Sequence, residues 1–302
     1  MSIGIDEVIA SIPEWQGKRP GAKPVAGGLT NTNFLVEVEG TPFFVRIPGA
    51  STELLAVDRK NEVYNTKAAA EAGVGPQVIH HLPEHNVMVL EFIQGQTMSN
   101  QALAAPGAPA RIAQSLRRLH AGPRFLTDFN MFRLVEFYLK MVDEHQVLIP
   151  EGYRQRLPTI HQIEQAVNAR ALPTVPCNND LLAENYIDDG TMLRLIDFEY
   201  SGNNDPCFEL GNTCQELQYD EGRFAELCAA YFGEAQRHLL ARMHLYALMS
   251  DIGWTLWGAI QNKVSAIDYD FWAYAQGRWA RAEGIMASAE FTAWLRDARR
   301  DD

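Results

Sequence analysis

Hydrophobic and polar positions change their rhythm near Gln96. Between Lys23 and Ile47 the text is KPVAGGLTNTNFLVEVEGTPFFVRI. FLVEVEG alternates apolar and polar residues, and TPFFVRI resumes an apolar run after Gly40, the period expected of paired antiparallel strands. The pair Gly27–Gly28 marks a turn ahead of them. The stretch STELLAVDRKNEVYNTKAAAEAG predicts a helix that Ser51 or Thr52 can cap and Gly73 can end. PQVIHHL and NVMVLEFI predict two further strands, and Gly95 in EFIQGQTM closes the sheet-rich part.

Beyond about Gln96 the period is mostly helical. ARIAQSLRRLHAGP places Ile112, Leu116 and Leu119 on one face and stops at Gly122–Pro123. Further helices are predicted across 131–147, 151–171, 205–233, 235–262 and 268–297. One stretch breaks the pattern. VPCNNDLLAENYIDDGTMLRLIDFEY, from Val175 to Tyr200, holds short β segments inside a helical region. The fold class that follows is α+β and bilobal: a smaller β-rich N-lobe over 1–93 and a larger, mostly helical C-lobe over 94–302, connected near 91–96. A cleft between two lobes is a usual place for a small-molecule site. No internal repeat or low-complexity tract interrupts this plan.

Composition narrows the class. Hydrophobic residues make up 47% and charged residues 21% of the 302 positions, as in soluble globular proteins. The N-terminus carries Asp6, Glu7 and Glu14 instead of a basic start and an apolar run, so no secretory leader is expected. LYALMSDIGWTLWGAI is the longest apolar candidate, but Asp251 sits in its middle, and no membrane span is predicted. The four cysteines, Cys177, Cys207, Cys214 and Cys228, have no CxxC spacing and read as thiols of a cytoplasmic protein. With 26 Lys and Arg against 38 Asp and Glu, the formal charge is −12. That argues against nucleic acid or anionic lipid as partner and is compatible with a cationic substrate.

The Val175–Tyr200 stretch also carries candidate chemistry. Phosphoryl transfer needs a carboxylate to accept or orient the proton of the attacking hydroxyl. It also needs oxygen ligands for magnesium, and a cation with backbone N–H groups for the phosphates. Asp180 and Asn185 stand in the D-x-x-x-x-N spacing of a kinase catalytic loop. Asp197 follows on its own apolar strand, MLRLID, the context of a magnesium-binding aspartate. Turn residues alone would explain Asp180 and Asn185, but loop, hairpin and apolar LID together are more specific. In the N-lobe, the turn AGGLTNTN, with Gly28, Thr30 and Asn31, can bring N–H groups near phosphate. Arg46 in FFVRI is placed to face the phosphates, and Glu62 in the following helix can pair with it. Taken singly, either is a solvated surface charge.

Six stretches carry a resemblance that spans nearly the whole chain: GGLTNTNF, VRIPG, VLEFIQG, NDLLAEN, LIDFEYSGNNDPCFELGN and WTLWGAIQNKVSAIDYDFWAYAQ. In them the sequence resembles the choline/ethanolamine kinases, within the protein-kinase-like group that includes the aminoglycoside phosphotransferases. The last two stretches are the most specific. The resemblance implies ATP and magnesium as cofactors, Asp180 as catalytic base, and Asn185 and Asp197 as metal ligands. It implies that backbone near Glu91, Phe92 and Ile93 holds adenine and that Arg46 contacts phosphate, where its planar fork suits the oxygens. The family usually has histidine at the position of Asn178. Asparagine can also bond to backbone groups, so the exchange bears on loop rigidity more than on chemistry.

A quaternary ammonium has no N–H to donate, so aromatic faces and nearby carboxylates must hold it. Trp254 and Trp257 are three apart and share a helix face. The resemblance places them around the ammonium with Tyr200, Tyr274 and the charge of Glu216; Tyr219 is a weaker candidate. A plain aromatic core is the alternative for the tryptophans. For Asp251, one turn before Trp254, the alternatives are capping and solvation. The function implied is an ATP-dependent kinase for the hydroxyl of a small amino alcohol, choline or ethanolamine. The alternatives are a phosphotransferase for an aminoglycoside or another small molecule, and a non-catalytic nucleotide-binding pseudokinase.

Overall fold

The computed structural model describes residues 3–25, 28, 30–49 and 52–300. The N-terminal part is helix α1 (Ile5–Ser11), strands β1 (Gly21–Val25), β2 (Asn31–Val38) and β3 (Thr41–Pro48), helix α2 (Arg59–Glu71), and strands β4 (Val78–Leu82) and β5 (Val87–Glu91). The five strands form one antiparallel sheet in the order β1-β2-β3-β5-β4. Val38 pairs with Thr41, leaving Glu39 and Gly40 as a two-residue loop with φ of 51° and 80°. Two left-handed residues match the twist of a tight hairpin. The alternation read in FLVEV holds: Val36 and Val38 are buried and Glu37 between them is exposed.

One face of the sheet packs Val36, Val45, Val87 and Val89 against Val8, Ile12 and Trp15. Patterning alone gave no element before Lys23, because a seven-residue helix is too short to establish a period. The 51–73 helix needs correction. A 3-10 turn covers Thr52–Leu55, Ala56 has φ 60°, and α2 begins only at Arg59. Asp58 caps it, accepting from Lys60 N at 2.8 Å and Asn61 N at 3.2 Å. Ser51 lies outside the described residues. Gly73, at φ 75°, ends the helix as expected.

The C-terminal part begins with β6 (Gln96–Thr97), α3 (Asn100–Leu103), α4 (Ala108–His120), α5 (Met131–Glu144) and α6 (Leu157–Asn168). Four short strands follow: β7 (Val175–Cys177), β8 (Tyr186–Asp188), β9 (Leu193–Leu195) and β10 (Gly202–Asn204). The chain closes with α7 (Pro206–Glu216), α8 (Glu221–Phe232), α9 (Arg237–Val264), α10 (Phe271–Met286) and α11 (Ala289–Asp297). Two predicted helices are therefore each two. Asp220 caps α8 within 205–233, and Ser288 caps α11 within 268–297. The 151–171 helix shortens to α6, which carries Pro158 in its first turn, where a missing N–H costs nothing.

Helix α9 is buried along almost its whole length and packs against α5, α7, α10 and α11. Close approach to α7 depends on Gly211: a β-carbon there would overlap the Met243 carbonyl on α9. Gly211→Ala is expected to lower the melting temperature, since overpacking a dense core costs roughly 1–3 kcal/mol. An unchanged thermal transition would show that α7 and α9 part at no cost. All four cysteines are free and buried. Among the described residues, no helix is long and apolar enough to cross a membrane.

Candidate active site

The Val175–Tyr200 stretch is folded back on itself by two small sheets. β7 pairs with β10, with Cys177 opposite Gly202, and the β8–β9 hairpin sets Tyr186 opposite Leu195. β6 adds to β8 through Gln96 and Asp188, which ties the connection after β5 to this region. The loop between β7 and β8 carries Asp180 and Asn185. Asp197 follows β9.

Asn178 makes the bonds that fix this loop. Its Nδ2 donates to the Asp197 carbonyl at 2.8 Å and to the Ile196 carbonyl at 3.1 Å, and its Oδ1 accepts from Asp180 N at 3.1 Å. The asparagine thus joins the loop of Asp180 to the segment just after β9, where Asp197 lies beyond the strand on which the sequence placed it. Below it, Glu209 of α7 accepts from the backbone N–H of Asn178 at 2.9 Å and of Asn179 at 3.0 Å. His120, at the end of α4, sits 2.9 Å from Glu209 Oε2, and its other nitrogen is 2.7 Å from the Tyr231 hydroxyl. His120, Cys177 and Glu209 lie close enough to hold a metal, but the hydrogen bonds already made by Glu209 and His120 identify a buried support for the loop.

Asn185 donates Nδ2 to the Asp180 carbonyl at 2.7 Å, which leaves its side-chain oxygen as its acceptor. Asp197 has φ 62°, a conformation that aspartate tolerates better than most residues. Its Oδ2 is 2.8 Å from Arg46 Nη2, while its Oδ1 is buried with no partner among the described residues. Burial pushes the Asp197 carboxyl up, and Arg46 beside it pulls it back. The unpartnered carboxylate oxygen of Asp197 and the amide oxygen of Asn185 are hard donors of the kind that fits magnesium.

On β3, Arg46 is buried and bonds Glu62 Oε1 at 2.7 Å as well as Asp197. Arg59 holds the other Glu62 oxygen at 2.7 Å and reaches Glu199 at 2.5 Å. Glu199 accepts from Thr30 Oγ1 at 2.7 Å and from Asn31 Nδ2 at 2.6 Å. Thr30 and Asn31 are therefore tied to the segment after β9 that carries Asp197 and Glu199. Gly28 has φ 94°; Ala26, Gly27 and Leu29 lie outside the described residues. Glu91 closes β5 with its N–H on the Gln77 carbonyl at 2.8 Å, and Ile93 is buried beyond it. Phe92, between them, is half-buried.

Asp180 is half-buried, and burial first, then Glu216 and Asp197, push its carboxyl well above the usual range, with Arg278 opposing them. The aromatic candidates gather on the same side. Trp257 Nε1 donates to the Tyr200 hydroxyl at 2.8 Å. The Tyr200 and Trp254 rings meet edge-on at 4.8 Å, and Trp257 and Tyr274 at 5.6 Å. Glu216 is bonded to Arg278, whose guanidinium lies over Tyr274. Asp251 is neither capping nor solvated; it is fully buried against Arg278 and Arg281. Tyr219 turns to the Leu103 carbonyl at 2.7 Å.

A model of the choline/ethanolamine kinases matches residues 22–226 of this sequence. The chain belongs to that family. Ethanolamine kinase 2 of Rattus norvegicus is 27% identical over 296 residues, covering 87% of this chain and 75% of its own length. A choline/ethanolamine kinase family protein of Mesorhizobium loti has a solved structure with 37% identity and a TM-score of 0.85, covering 97% of this chain and 98% of that one. A structure of LicA in complex with AMP shares the fold, at 21% identity and a TM-score of 0.76, covering 96% and 98% of the two chains.

Contacts in the structure link Asp180, Asn185, Asp197, Arg46, Glu62, Thr30 and Asn31 directly or through Asn178, Glu199 and Arg59. They also join Tyr200, Trp254, Trp257 and Tyr274, with Glu216 reached through Arg278. Sequence reasoning missed Glu199, Arg59, Glu209, His120 and Arg278. Two of these had a signal. Glu199 lies in DFEY and Glu209 in ELGN, each an acid between residues that must be buried.

Proposed function

We propose that the chain transfers a phosphoryl group from ATP to the hydroxyl of a small amino alcohol, choline or ethanolamine. The observation that carries this reading is the joining of Asp180 to Asp197 through Asn178, with Asn185 bonded to the Asp180 carbonyl, beside a cluster of four aromatic rings. AMP in the related LicA structure supports a nucleotide as donor. Asp180 accepts the proton of the attacking hydroxyl, and burial together with Glu216 and Asp197 raises the affinity of its carboxyl for that proton. Asn185 and Asp197 would hold magnesium, which when bound neutralises phosphate charge. Arg46, kept in place by Glu62 and beside Asp197, would contact the phosphates. The turn of Gly28, Thr30 and Asn31 presents backbone N–H groups to the phosphates. Backbone at Glu91, Phe92 and Ile93 holds adenine. Tyr200, Trp254, Trp257 and Tyr274 surround the ammonium, and Glu216 supplies negative charge. The lobes divide at 93–94, with the site between them.

Magnesium-dependent ADP formation measured over choline, ethanolamine and aminoglycosides tests this function. Turnover with the amino alcohols supports it. Turnover with aminoglycosides alone, or none at all, replaces it with the drug-modifying or the nucleotide-binding reading. Trp254→Leu and Trp257→Leu should each raise the KM of the amine about 3- to 30-fold, the worth of one cation–π contact, with the KM of ATP unchanged. Lower stability with unchanged amine KM would instead make these tryptophans plain core.

A further inference from the structure

Chain order sets α2 among the strands of the N-terminal sheet, but its packing sets it elsewhere. Leu55, Val57, Ala68, Ala69 and Val74 share one hydrophobic core with Leu116, Leu119, Tyr138 and Leu195 of the C-terminal part. The sheet keeps a separate core with α1, built on Val36, Val45 and Trp15. Val63 of α2 packs instead on Met88 and Leu90 of the sheet.

The polar groups divide in the same way. Asn61 and Asn65 are buried, four apart on one face of α2. Asn61 Nδ2 donates to the Ser201 carbonyl at 2.8 Å, and its Oδ1 accepts from Thr127 Oγ1 at 2.7 Å. Asn65 Nδ2 donates to the Ser201 carbonyl at 3.1 Å and to Ser201 Oγ at 3.0 Å, and its Oδ1 accepts from Leu126 N at 2.9 Å. Ser201 lies between Asp197 and β10. On either side of the helix, the Leu55 carbonyl accepts from the Tyr138 hydroxyl at 3.0 Å and the Val74 carbonyl from Leu195 N at 2.9 Å. The Gly75 carbonyl accepts from Arg194 Nη2 at 2.6 Å. Among the described residues, α2 has two polar links to the sheet. Glu62 Oε1 takes Arg46, and Arg59 Nη2 donates to Asn31 Oδ1 at 3.1 Å. Parting α2 from the C-terminal part would strand several buried amide and carbonyl groups, which is costly. Parting it from the sheet breaks two links, both at the proposed phosphate site.

We propose that residues 55–75, α2 included, belong to the C-terminal body, and that Asn61 and Asn65 are positioning residues for the phosphate site. They hold Glu62, and through it Arg46, in register with Asp197, while the five-stranded sheet opens as a separate unit. The inference rests on the reading of Arg46 as a phosphate contact and Asp197 as a metal ligand.

Native-state hydrogen exchange on the full chain, in urea below the unfolding transition, tests the placement of α2. Its amides should open with those of α4 and α5, at higher urea than those of β2 and β3. Opening of α2 together with β2 and β3, with or without the C-terminal helices, overturns the inference and leaves the kinase reading standing. Asn61→Ala and Asn65→Ala test the positioning role. Each should raise the KM of ATP, and the magnesium needed for half-maximal rate, by roughly 2- to 30-fold, with the KM of the amine unchanged. A mere packing role would lower the melting temperature and leave the KM of ATP where it was, against the inference. Equal rises in both KM values also count against it. Absence of ATP binding by the wild-type chain overturns the phosphate-site reading and the positioning role with it. The exchange experiment needs no variant, so it decides where either asparagine proves necessary for folding.

Discussion

Asp180→Asn should lower kcat by about 10²- to 10⁴-fold, the range that a positioned proton acceptor supplies. The backbone bonds of residue 180, from its N–H to Asn178 Oδ1 and from Asn185 Nδ2 to its carbonyl, do not involve the side chain and survive the change. Stability should hold or rise. Burial, Glu216 and Asp197 all raise the Asp180 pKa, so the folded state favours the protonated form. That contribution is fully present below the ordinary carboxylate pKa and is lost as pH rises through the folded value. At neutral pH an amide removes the penalty. The gain in melting temperature over wild type should therefore shrink as pH falls toward the acid range. The KM of ATP should stay, because no phosphate contact is assigned to Asp180. Steady-state kinetics with thermal melts at several pH values checks each part. Near-normal turnover in Asp180→Asn would move the proton acceptor to another residue.

How much of this was legible in the sequence varies with the physics involved. The hairpin of β2 and β3 was legible because alternation is a local pattern and Gly40 marks its turn. Helix α4 was legible because Ile112, Leu116 and Leu119 repeat at helical spacing and are all buried. The start of α2 was not, since Ser51, Thr52 and Asp58 are all good caps and only the left-handed Ala56 decides between them. The breaks within 205–233 and 268–297 were legible in principle, at Asp220 and Ser288. They were passed over because apolar residues continue on both sides.

The site divides along the same line. Asp180, Asn185 and Asp197 have fixed spacings along the chain, so a motif can find them. Arg59, Glu199 and Arg278 act through partners as far as 169 positions away, and no local pattern encodes such pairs. Their common trait is burial: charged side chains placed under the surface must be matched, and each match fixes a geometry. The Asn178 position shows the same logic. Read from the sequence it is a departure from the family's histidine. In the fold its amide makes two bonds to the carbonyls of Ile196 and Asp197, just after β9, and one to the loop of Asp180.

Asp197→Asn is the sharpest test of the metal assignment. Asparagine tolerates the left-handed φ of 62° about as well as aspartate, so the loop should keep its path. It also retains an oxygen that can accept from Arg46. What disappears is the negative charge and one of the two equivalent oxygens, of which Oδ1 is the buried one without a partner. An aspartate left in that state is under-satisfied, and burial has already raised its pKa. Its replacement should cost little stability. Magnesium is a hard cation that favours carboxylate over amide, so nucleotide binding should lose its magnesium dependence and kcat should fall by about 10²-fold or more. Titration of ATP with and without magnesium, followed by calorimetry or nucleotide fluorescence, reads the first effect without relying on turnover. Asn185→Ala should weaken the same dependence to a smaller degree, since it removes a neutral ligand. Full magnesium dependence in both variants would refute the pair as ligands, and the orphaned oxygen of Asp197 would then need another partner.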